Sequence, residues 1–99
     1  MLIALLDLRT TTADRPLALA QLDSEKDEIR AMPGNLDFRV CAARDDDEAV
    51  VVIHEWTDEA SFSGYLASDA FARSGSVLGP LVTAPPVSRR FHAALLETV

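Results

Sequence analysis

The sequence predicts an α+β domain on the split βαβ plan: a four-stranded antiparallel sheet with its helices on one face, the ferredoxin-like arrangement. Three observations lead there. Strand-like and helix-like segments follow one another as strand, helix, strand, strand, helix, strand. Turn and capping residues stand at the junctions, as in "TTTADRP", "MPGN" and "RDDDE". Two of the strands, "LIALLDL" and "AVVVIHEW", are apolar on both parities, so both of their faces need cover. The helices can cover only one face of the sheet.

The elements follow in order. "LIALLDL" is the first strand. Asp14 is expected to cap the first helix, with Pro16 tolerated in its first turn, and the helix should run from Arg15 to Met32. Leu19, Leu22, Ile29 and Met32 share its apolar face, and Glu25 and Lys26 interrupt it. Pro33 and Gly34 stop it. "NLDFRVCAA" alternates, with Leu36, Phe38, Val40 and Ala42 pointing one way. "RDDDE" is a polar hairpin tip whose carboxylates solvate it, and "AVVVIHEW" is the third strand. Asp58 caps a helix carrying Phe62, Tyr65 and Leu66. Ser68 caps a further segment with Phe71 and Leu78, which Gly79 and Pro80 end. The last strand is expected near Val87 to Ala93, followed by a tail.

With 99 residues the chain makes one domain, and 48% apolar residues argue against disorder. A net charge of −7 without a basic cluster argues against nucleic acid and against an anionic membrane surface. The single cysteine, Cys41, allows neither an internal disulfide nor a cysteine-based zinc site. "MLIALLDL" has no basic start and reaches Asp7 too early for a signal peptide, so a cytoplasmic protein is expected. The uncovered sheet face calls for a second copy of the chain, a homodimer.

"MPGNLDFRV", "VVVIHEWTDEASF" and "YLASDAF", in that order and spacing, resemble the antibiotic biosynthesis monooxygenase family. The resemblance implies a dimeric α+β barrel with a ligand pocket between each sheet and its own helices. Its haem-degrading branch would place an asparagine, an aromatic and an iron-binding histidine at Asp7, Tyr65 and Gly75, and Gly75 has no ligand to offer. The branch that oxidises polyketide phenols without metal or flavin keeps a tryptophan at Trp56. It has polar partners where this chain has Val52 and Phe62. The expected function is therefore cofactor-independent oxygenation of an aromatic or polyketide-like phenol. An isomerase or cyclase, or a non-catalytic ligand-binding or stress-related dimer, is the alternative.

His54 and Trp56 share parity with Val50 and Val52, hence one sheet face. His54 is the candidate base, polarised by Asp7 on the premise that the first and third strands are parallel neighbours. The alternative for His54 is a satisfied buried histidine or a place at the dimer face. Trp56 is expected to wall the pocket, Tyr65 to turn its hydroxyl into it, and Val52, Phe62 and Phe71 to line it. Arg73 is a lesser candidate for an anionic ligand, and Glu25 or Lys26 a second acid-base group should either point inward. His92 is taken as structural. No metal-ligand spacing, phosphate loop or nucleophile elbow is present.

Overall fold

The structure, a computed structural model, describes residues 1–99. Its elements are β1 (Leu2–Arg9), α1 (Arg15–Arg30), β2 (Asn35–Ala42), β3 (Ala49–Trp56), α2 (Glu59–Leu66), α3 (Asp69–Leu78) and β4 (Val87–His92). The four strands form one sheet in the order β2-β3-β1-β4, and every neighbouring pair is antiparallel. This is the α+β split βαβ fold read from the sequence. It also corrects the premise that β1 and β3 run parallel. A crossover helix separates β1 from β2, so those two strands run the same way. The β2–β3 hairpin then reverses β3, which enters the sheet between them.

Even-numbered residues of β1 and β3 face the helices. Leu2, Ala4, Leu8, Val50, Val52 and Trp56 are buried there, against Leu22 and Ile29 of α1 and Phe62 of α2. Each large apolar side chain so enclosed contributes roughly 1.5–3 kcal/mol. The odd face has no helix over it. Ile3, Leu5, Val51 and Ile53 are half-buried on it, and Val87 and Phe91 of β4 are 54% and 47% exposed.

Several local expectations change. The buried stripe of α1 is Ala18, Leu22, Glu25 and Ile29, so Glu25 lies on the inward face rather than interrupting it. Asp14 occupies the cap position but makes no side-chain cap bond. The helix ends at Arg30, two residues short of Met32. Gly34 then turns at φ 80°, and a Cβ there would run into the Ser61 side chain, so no other residue fits this turn without strain. In β2 the register slips between Asn35 and Asp37, and Leu36 is left 54% exposed instead of joining Phe38. The caps of α2 and α3 form as expected: Asp58 accepts from the Ser61 amide at 2.8 Å and Ser68 from the Phe71 amide at 3.2 Å. The "RDDDE" tip is tied down. Arg15 donates to the carbonyls of Ala43 and Asp46 at 3.0 and 2.9 Å, and Arg9 pairs with Asp46 at 2.9 Å. No helix is long and apolar enough to cross a membrane.

Candidate functional site

A cavity lies between the helix-side face of the sheet and the layer formed by α2 and α3. It has two lobes, of about 220 and 190 Å³, which share Leu6, His54, Tyr65, Phe71 and Pro86. Together the lobes suit a small organic ligand. Val52, Phe38 and Ser74 line the inner lobe, and Phe62, Ser88 and Arg90 the outer one. A shallower groove of about 500 Å³ lies outside, between Met32–Pro33 and α2, and shares only Tyr65 with this cavity.

His54 sits in an aromatic box. Its ring lies 5.6 Å from Phe38 and from Phe62, and 5.7 Å from Tyr65, centroid to centroid. Trp56, two residues along the same strand and on the same face, donates its indole N–H to His54 Nδ1 at 2.9 Å. That bond settles the imidazole tautomer. Nδ1 accepts, so the ring proton is on Nε2. Burial among aromatic rings, helped by the positive charge of Arg90, lowers the His54 pKa to about 4. At neutral pH His54 is therefore an uncharged donor, with its one basic lone pair engaged by Trp56.

Tyr65 stacks on Trp56 at 5.3 Å and meets Phe71 edge-on. Burial first, and the nearby Glu25 carboxylate second, push its phenol up to about 12. It too is a donor at neutral pH. Glu25 is buried, with one oxygen accepting from Gln21 at 2.9 Å and the other without any partner.

The structure thus brings His54, Tyr65, Val52, Phe62 and Phe71 around one cavity. Trp56 is fully enclosed and stands behind His54 rather than walling the space. Asp7 is elsewhere. It pairs with Val51 across β1–β3 on the odd face and lies 3.5 Å from Arg89, while His54 faces Ala4 on the even face. A strand residue of the wrong parity cannot reach the other side of a sheet, so the expected polarisation of His54 by Asp7 does not occur. Arg73 is bound to Glu28 at 2.8 Å, and His92 Nε2 lies 3.2 Å from Glu59 outside the cavity. Gly75 lines the inner lobe without a side chain. No group of three His, Cys, Asp or Glu side chains is placed to hold a metal ion.

Arg90 is the site residue that sequence reasoning passed over. It belongs to β4, which the sequence shows only as a last strand near Val87 to Ala93. Pairing with β1 sets Arg90 opposite Ala4, on the cavity side, whereas Arg89 falls on the other face. Only the register separates the two arginines, and one sequence does not carry that register.

The family comparison matches residues 1–74 to the model described as antibiotic biosynthesis monooxygenase. The chain belongs to the antibiotic biosynthesis monooxygenase family. Among solved structures, a Deinococcus radiodurans protein provisionally named as a member of this family is similar at TM-score 0.91 and 16% identity, over 100% of this chain and 98% of that one. A Nitrosomonas europaea protein of the same provisional name is similar at TM-score 0.90 and 10% identity, over 96% and 100% of the two chains. A conserved protein from Methanosarcina mazei is similar at TM-score 0.88 and 16% identity, over 94% and 92%. At these identities the likeness speaks for the fold. No curated protein matches the sequence.

Proposed function

We propose that this protein oxidises an electron-rich, polyketide-like phenol or anthrone with dioxygen, using its own side chains and no bound cofactor. The observation that supports this best is the neutral His54, whose Nε2–H has no partner within the protein, on the wall of a largely apolar cavity. A donor held in place by a buried indole stabilises an anionic oxygen more strongly than water does, because nothing reorganises as charge develops. His54 therefore acts on the substrate oxygen as a donor, in place of the base expected from the sequence.

The substrate's proton leaves to solvent, and the enolate or phenolate oxygen is held by His54 Nε2–H. The electron-rich ring carbon then forms a bond to dioxygen. For a ring CH₂, loss of its second proton as the O–O bond breaks leaves one oxygen as a ketone and the other as water. The aromatic walls exclude water from the reacting carbon.

Oxygen uptake with a panel of hydroxyanthrones and naphthols tests the proposal. Saturable uptake is expected, lowered roughly 10²–10³-fold in His54→Phe, the usual worth of one such donor. Uptake no faster than without protein across the panel would sink the oxygenase reading. Binding without turnover would favour the alternative of a ligand-binding protein, to which the apolar Val52 and Phe62 lend some support.

The same proposal takes the working unit as a homodimer. Its support is the uncovered face carrying Ile3, Leu5, Val51, Ile53 and Phe91. Sedimentation should give a dimer at micromolar concentration, and Ile53→Lys should shift it toward monomer. A folded wild-type monomer at that concentration would refute it.

A further inference from the structure

One row of residues crosses the sheet under the cavity. Phe38 pairs with His54, His54 with Ala4, and Ala4 with Arg90. All four residues point to the helix side. His54 and Arg90 thus stand two strand spacings apart, roughly 9.5 Å between their Cα atoms. The side chain between them is the single methyl group of Ala4, which is fully buried.

Arg90 is held but not neutralised. Its guanidinium lies over the Phe62 ring, 4.9 Å from the centroid, and its Nε donates to Ser88 Oγ at 3.2 Å. Its remaining N–H groups have no partner. Arg9, Arg39, Arg73 and Arg89 each have a carboxylate within 4 Å; Arg90, like Arg15, Arg30 and Arg44, has none, and of these unpaired arginines it is the one that lines the cavity. The contact with Phe62 holds the guanidinium at the outer lobe that His54 also lines. A fixed fork with free donors, beside an apolar cavity, suits a carboxylate.

We propose that Arg90 is the specificity-determining residue of the cavity: the ligand is an aromatic that carries a carboxylate at one end, bound by Arg90 at the mouth, and an oxygen at the other, bound by His54. The inference rests on the cavity being an aromatic-ligand site, and adds the charge and shape of what enters. Neutral aromatics of the same size bind more weakly, and the carboxylate sets which end of the ring system lies against His54.

Quenching of the single tryptophan, or calorimetry, with 2-naphthol and 6-hydroxy-2-naphthoate tests this, since the two probes differ by one carboxylate. The naphthoate should bind about 10- to 100-fold more tightly in the wild type, as a charge-assisted pair at a partly exposed site does. Arg90→Gln should abolish that preference, and Arg90→Lys should restore part of it. Arg89→Gln, on the opposite face, should leave it intact. Arg90 is exposed, so the variants should keep the wild-type circular dichroism and melting curve. Equal affinity of both probes in the wild type, or a preference that survives Arg90→Gln, overturns the inference and leaves the cavity reading standing. Binding of neither probe overturns both.

Discussion

Acid should destabilise this protein through His54 in a way that a single substitution removes. The folded pKa is lowered from 6.5 to about 4, so between those values the unfolded chain takes up a proton that the folded chain refuses. Stability rises with pH where the unfolded state binds more protons. The His54 contribution is thus fully present above pH 6.5 and is lost progressively as pH falls to about 4. A shift of this size corresponds to about 3 kcal/mol, a large part of the stability of a small domain. His54→Phe removes the titrating group and leaves Trp56 Nε1–H without its acceptor, a fixed cost of about 1–3 kcal/mol. Urea denaturation at intervals from pH 7.5 to 4 should show the variant less stable at the upper end. The two stability curves should then converge or cross as pH falls, because the exposed carboxylates titrate alike in both. Curves that stay parallel across this range would refute the argument, since His54 would then titrate equally in both states.

Three further outcomes follow from individual contacts. The one tyrosine can be titrated by absorbance at 295 nm: Tyr65 should ionise near pH 12 while the protein is folded and near 10 in denaturant. Stability should correspondingly fall as pH rises from 10 toward 12, because the unfolded state loses the proton first. Gly34→Ala should cost at least ~1–2 kcal/mol for the left-handed φ, with more for the contact with Ser61, read as a lowered melting temperature. Glu25→Leu removes a buried carboxylate oxygen with no partner and should raise stability by ~1 kcal/mol in urea denaturation; a loss of several would mean the carboxylate is satisfied in solution.

Strand and helix order was legible because it depends on local pattern. "AVVVIHEW" is a continuous β-branched run, and Asp58 and Ser68 stand where caps belong. What depends on pairing between distant strands was not. Asp7 and His54 look like neighbours only if β1 and β3 run parallel, and their antiparallel register places them on opposite faces. Arg89 and Arg90 are interchangeable in sequence, and one pairing step in β4 sends one to solvent with Asp7 and the other to the cavity. Leu36 looked inward until a bulge beside Asn35 turned it out. Trp56 stands out by residue type, but its hydrogen bond to His54 Nδ1 is a matter of side-chain direction along one strand. Glu25 broke a stripe drawn through Leu19 and Met32, while the real stripe runs through Ala18, Leu22 and Ile29 and includes it.

The imidazole nitrogens themselves test the account most directly. Long-range ¹H–¹⁵N spectra of His54 at pH 7, free and with 2-naphthol, read the protonation of each nitrogen. Nδ1 should be unprotonated and accept from Trp56, Nε2 should be protonated, and the Nε2–H should shift when the naphthol binds. An unprotonated Nε2, or an imidazolium at pH 7, would contradict this and return His54 to the role of a base.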